Sequence, residues 1–357
     1  LEITRGLRLP ISPPPPKGRI RMALSTAFNS RMNPLGQLIG WLAYHKLQGF
    51  DHVLLYRWGT HDMDIHERFV KEMLKWEKSG FVTVIPWSNE GWNFECNQDD
   101  SHNFDALYRA RDVQFDWLAN NHIDEYLRPR GDFGTMRDLL ESVPDDVDSV
   151  AFYEYHWSYM PDEISFDRLD KDPGFVFREV SRGALRRPSH PWTRFEPERE
   201  PPHKMKVFSQ PFQEIIRPLR FGQRDQLTAV NVDRPETSRK YKYLNPNLEA
   251  VLEHFGRNRL DCERRIAIEK ETATKQQEWN TDHPEALQGL QPKTGTFEFT
   301  PNRGAEDLWA PLVSVRFGGD PVFGRRYVQC VDYMTEHVFQ PLPKECIFRD
   351  STERALL

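Results

Sequence analysis

His122, Asp124 and Glu125 fall close together where an apolar run turns polar, in WLANNHIDEYLRP over residues 117–129. A strand that ends in carboxylates delivers them to the crevice where α/β sheets bind ligands. A diphosphate placed there needs its negative charge offset, and a divalent cation held by one or two side chains does this. Asp-x-Asp at a strand end is the usual device. Here the spacing is His-x-Asp, which offers an imidazole from His122 and a carboxylate from Asp124, two residues apart and so on one side of a strand. The plainer role of Asp124 and Glu125 is to cap a turn, and the segment alone does not choose between the two.

Other residues are spaced for work on the same ligand. Gln98 and Asp105 lie two helical turns apart, and Arg109 follows one turn later on that face. A guanidinium there matches phosphate oxygens in a bidentate fork. The competing roles are a solvated helix face and an Arg–carboxylate pair within the helix. Transfer to a hydroxyl needs a group that accepts its proton, and Glu154, followed by Asp162 and Glu163, stands where such a base belongs; ordinary surface carboxylates are the alternative. Trp157 and Tyr159 can stack on a sugar ring or pack in a core. HDMDIH, residues 61–66, resembles a metal cluster, but Asp62 and Asp64 precede a helix and are better read as its caps.

The elements that must position these residues alternate. Apolar strands are expected at residues 20–28, 52–56, 81–86, 117–123 and 149–155, with helices at 34–48, 64–78, 98–115 and 136–142. Strands alternating with helices make a mostly parallel sheet, whose ligand site lies at the strands' carboxyl ends. Asn29 and Arg57, at the ends of the first two strands, are therefore expected to border the pocket. Residues 1–18, with four prolines after Ser12, read as a stiff tail. Residues 19–262 form the expected α/β domain, and 263–357 an extension packed upon it. The proline-rich, charged stretch 186–202 is expected on the surface near the site mouth.

Composition narrows the function. A chain of 357 residues with 38% hydrophobic residues can bury a large core, and a net charge of -6 gives no basic field for nucleic acid. No apolar run is long enough to span a membrane. Cys96, Cys262, Cys330 and Cys346 include no CxxC pair, which disfavours structural zinc and leaves disulfides open. No Asn-x-Ser/Thr acceptor occurs, a slight lean towards the cytoplasm over the Golgi lumen.

Three pieces taken in order, WLAYHKLQGFDHVLLYRWGTHD, GFVTVIPW and NFDALYRARDVQFDWLANNHIDEYLRP, resemble glycosyltransferase family 92 over residues 20–129, and EHFGRN at 253–258 more faintly. The resemblance implies a GT-A (Rossmann-like) fold with a C-terminal extension, and inverting transfer from a nucleotide sugar, most often UDP-galactose, to a glycan acceptor. It also implies Mn2+ (or Mg2+), with His254 joining Asp124 and His122 as a late-chain ligand. The chain departs from the family's pattern at four places. His122 stands for the first metal-motif Asp, Arg57 for the Asp of a Tyr-Asp-Asn turn, Gly40 for the Glu before Trp41, and HWSYMP for a Phe-Gly-Ser-Ser-Gly segment. These changes mark a divergent member. A glycan- or nucleotide-binding protein without catalysis is the alternative.

Overall fold

The computed structural model describes residues 19–29, 33–58, 63–87, 98–157, 166–181, 187–188, 214–216, 241–244, 248–255, 317–318, 321–341, 343 and 346. The first half alternates as expected: β1 (Met22–Asn29), α1 (Leu35–Leu47), β2 (His52–Trp58), α2 (Met63–Lys78), β3 (Val82–Trp87), α3 (Gln98–Asp112), β4 (Trp117–Asn120), β5 (Glu125–Pro129) and α4 (Met136–Glu141). There follow β6 (Ser149–Ala151), β7 (Tyr153–Trp157), α5 (Phe166–Lys171), α6 (Phe175–Ser181), β8 (Arg187–Pro188) and β9 (Glu214–Ile216). β10 (Tyr241–Tyr243), β11 (Ala250–Phe255), β12 (Phe317–Gly318) and a last helix, α7 (Pro321–Glu336), complete the described elements. The 1–18 tail, most of 186–202 and all of 263–303 lie outside the described residues.

The main sheet has the order β10-β6-β9-β4-β1-β2-β3. Its β4, β1, β2 and β3 are parallel neighbours, while β9 runs antiparallel between β4 and β6. The run β3-β2-β1-β4 is the Rossmann order, so the α/β class expected from the sequence is the one observed. Helices cover both faces. On one, Ala106, Leu107 and Ala110 of α3 pack with Ala23, Leu54 and Tyr56; on the other, α1 and α2 join the larger core.

Helix α1 is buried on nearly every side. Its two glycines each cost about 1 kcal/mol of helix propensity, whereas each fully buried Leu or aromatic side chain contributes roughly 1.5–3 kcal/mol, so packing decides that this segment is helical. Pro34 offers no capping side chain; instead Leu35 N–H donates to Asp170 Oδ1 at 2.7 Å. Helix α7 packs against α1 and α6 and is closed by a Cys330–Cys346 disulfide.

Two segments differ from expectation. The strand expected at 149–155 divides at Phe152, β6 staying in the main sheet and β7 entering a second one, β5-β11-β7. The strand expected at 117–123 stops at Asn120, and a turn over 122–125 leads into β5, which that apolar run did not announce.

Candidate active site at the switch of strand order

Strand order reverses between β1 and β4, and in open α/β sheets the crevice outside such a switch point is where ligands bind. Ser25 stands opposite Asn120, the last residue of β4, while β1 runs on to Asn29. That overhang of four residues, about 13 Å of strand, walls one side of the crevice. Its floor is the segment after β4, where Asn121 N–H donates to Ser25 O at 3.1 Å.

The turn that follows is closed by its own side chain. Glu125 N–H donates to His122 O at 3.0 Å, and the Glu125 carboxylate accepts His122 N–H at 2.9 Å. Glu125 therefore has the capping role weighed above. Asp124 differs: its backbone carbonyl accepts Phe255 N–H at 2.9 Å, tying the turn to β11, and the residue as a whole is only 8% exposed. Burial, and then the Asp124 charge, push the Tyr126 hydroxyl well above the usual tyrosine range. His122 is exposed and lies in the turn rather than in β4, so its relation to Asp124 is set by turn geometry and not by a strand's pleat.

The second sheet brings late residues here. His254 pairs in register with Glu125 on one side and with His156 on the other, and Glu154 pairs with Leu252. His254 thus occupies the row of Glu125, whereas Asp124 meets Phe255. The side chains of His254, Glu154 and Gln98, and the whole of Asp162 and Glu163, lie outside the described residues. Among the described residues no three His, Cys, Asp or Glu side chains gather to hold a metal.

The expected donor-binding residues divide between the two faces of the sheet. Asn29 closes β1, its carbonyl accepting Asn33 N–H at 2.8 Å. Arg57 lies over the Phe69 ring of α2 at 4.8 Å, and burial lowers its pKa. On the α3 face, Tyr56 OH donates to Asp105 Oδ2 at 2.7 Å and Arg109 Nε reaches the same oxygen at 2.5 Å. The Arg–carboxylate pair within the helix is thus formed, with Asp105 turned to the sheet. Burial, then the Asp105 charge and hydrogen bond, raise the Tyr56 pKa. Sequence reasoning missed Asn103, Asn120 and Asn121. Asn120 Nδ2 donates to Asn103 Oδ1, joining α3 to the end of β4, and Asn103 and Asn121 are buried. An Asn-Asn pair at a strand end was the available signal.

The profile of glycosyltransferase family 92 matches residues 31–215, about half of the chain. A glycosyltransferase-like protein of Arabidopsis thaliana is 28% identical over 183 residues, which cover 46% of this chain and 38% of that protein. The chain therefore spans well under half the length of that relative. The crystal structure of S. aureus TarS aligns with a TM-score of 0.27 and 12% identity, covering 38% of this chain and 22% of that one.

Proposed function

The chain belongs to glycosyltransferase family 92, and from that premise we propose that it moves a sugar from a nucleotide-sugar donor, UDP-galactose by family likeness, to a glycan hydroxyl with inversion. The observation supporting this reading is the buried Asp124 residue beside the switch point. A carboxylate at that place can give a divalent cation an oxygen ligand. An ion that takes both carboxylate and imidazole, as Mn2+ does, suits Asp124 with His122 or His254, the diphosphate oxygens supplying its other ligands; Mg2+ prefers oxygen alone. When bound, such an ion offsets the charge that builds on the leaving diphosphate.

The chain's own residues have separable parts in the reaction. Glu154, or failing it Asp162, takes the proton of the acceptor hydroxyl as that oxygen bonds to the anomeric carbon. The bond from that carbon to the diphosphate breaks, and the diphosphate leaves with the electron pair. Asn29 and Arg57 border the nucleotide from one side of the crevice, Gln98 and Arg109 from the α3 side, with Asp105 orienting Arg109.

The test is stabilisation of the folded chain by UDP- and GDP-sugars with and without Mn2+, since a ligand bound only by the native state raises its melting temperature. One sugar nucleotide should stand out, only with metal, and Asp124→Ala should erase that shift while leaving the unliganded melting temperature near the parent's. His122→Asp should preserve binding and strengthen the response to Mg2+. Full Mn2+-stimulated transfer by Asp124→Ala would put the cation elsewhere. The second reading, a binding protein without catalysis, is motivated by His122 in the first metal position; a donor-induced shift with no transfer or donor hydrolysis would favour it.

We also infer an oxidising compartment. The buried Cys330–Cys346 bridge is of a kind that persists there and not in the cytosol, which opposes the slight cytoplasmic lean of the sequence. Among the described residues no helix is long and apolar enough to cross a membrane.

A further inference from the structure

Strand β5 lies at one edge of the second sheet, with β11 on its inner side. Alternate residues of an antiparallel strand direct their N–H and C=O groups outward, and on β5 the outward set is Glu125, Leu127 and Pro129, the last with no N–H to offer. An edge so buried must be satisfied by something other than a strand. Three side chains within one turn and a half of α1 do this. Trp41 Nε1 donates to Glu125 O at 2.8 Å, and Tyr44 OH donates to Leu127 O at 3.0 Å. Leu127 N–H points at His45 Nε2 at 3.5 Å.

His45 can accept at Nε2 only as the neutral ring that carries its proton on Nδ1, and that nitrogen faces Trp41 O at 3.0 Å, a carbonyl that can only accept. The tautomer is therefore fixed by both ends. The ring is fully buried, packed on Trp41 at 4.3 Å between centroids and against Tyr126 at 6.0 Å. Among the described residues, the hydrogen bonds of the ring run to backbone groups.

We propose that Trp41, Tyr44 and His45 form an aromatic clamp on the free edge of β5 which holds the 122–125 turn, and with it Asp124, in the geometry that binds the donor. His45 is a positioning residue: it touches neither donor nor acceptor and acts through Leu127 and the strand that begins at Glu125. The clamp gives a physical reason for the Trp-x-x-x-His spacing, because residues four apart on a helix lie one above the other and meet neighbouring groups of one strand edge.

The proposal rests on Asp124 being the donor-site carboxylate, so its experiment has two independent readouts. The first is amide hydrogen exchange at Leu127, Glu125 and Tyr126; the second is the Mn2+ and donor dependence of transfer, with kcat and KM separated. In His45→Leu, Leu127 N–H should lose protection selectively, and the apparent affinity for metal and donor should fall about 10- to 100-fold, as when a supporting group behind a ligand is removed. His45→Gln, which returns an acceptor near the Nε2 position, should recover most of both. Tyr44→Phe, which deletes a single oxygen, serves if His45→Leu does not fold, and should show the same pattern more weakly. The clamp is overturned if Leu127 protection and donor affinity match the parent while only stability falls, or if Gln is no better than Leu. Loss of Leu127 protection with transfer unchanged, alongside an active Asp124→Ala, would instead retire the Asp124 reading and leave the clamp as structure only.

Discussion

Single residues here are governed by what burial permits. His45 is the clearest case: burial lowers its pKa from 6.5 to about 3, against a smaller opposing effect of the hydrogen bond to Trp41. The folded chain refuses a proton that the unfolded chain accepts. Stability from the neutral ring is thus complete above pH 6.5 and is lost as pH falls from there towards 3, by about 2 kcal/mol between pH 7 and 5. His52, whose pKa is also lowered by burial, works in the same direction. Denaturant titrations at those two pH values should show the parent losing about that much more stability than His45→Gln. Parallel slopes would mean that the ring protonates freely in the fold. The same logic distinguishes Glu125 from Asp124. Both are acidic neighbours in sequence, yet the Glu125 carboxylate closes its own turn while Asp124 is tied to β11 through its backbone carbonyl.

Among the elements, α1 carries the most constraint. Gly40 stands where the family's pattern has Glu, and a Cβ at that position would run into the Pro173 carbonyl oxygen; at Gly36 it would meet the Leu169 carbonyl. In this chain the 169–173 backbone lies directly on the helix, and backbone cannot swing aside as a long side chain can. Gly40→Ala should cost about 1–3 kcal/mol by overpacking, read from thermal or urea unfolding, and Gly40→Glu more. A neutral Gly40→Ala would show that α1 and that loop are not packed this closely. The other end of the helix is tied as well, Lys46 Nζ donating to Val338 O at 2.7 Å and Gln48 Nε2 to Tyr327 OH at 3.2 Å. The clamp, the glycine contact and these ties leave α1 with little freedom, as a support for a binding turn requires.

Across the whole molecule, α7 fixes the far end of the chain to this support, with Arg178 bridging Asp172 and Asp332. The Cys330–Cys346 disulfide, between residues 16 apart, should contribute about 3 kcal/mol by restricting the unfolded chain. Non-reducing peptide mapping should recover the linked pair, and replacing both cysteines by serine should lower the melting temperature. Free thiols in protein purified under oxidising conditions would remove both the bridge and the compartment inferred from it. What the sequence determined alone was the local and periodic part: β1 to β4, the helices between them, and the WxxxH and HIDE segments, because apolar periodicity and turn chemistry are written over a few neighbouring residues. It could not announce β5, β9, β10 and β11, which are short or buried by partners more than a hundred residues away, nor that residues 149–155 divide between two sheets. The strand order that sets β1 beside β4, the register that sets His254 beside Glu125, and the hydrogen bond that ties Asp124 to Phe255 are all long-range pairings. Such contacts depend on how the chain returns upon itself, so only the tertiary structure decides them.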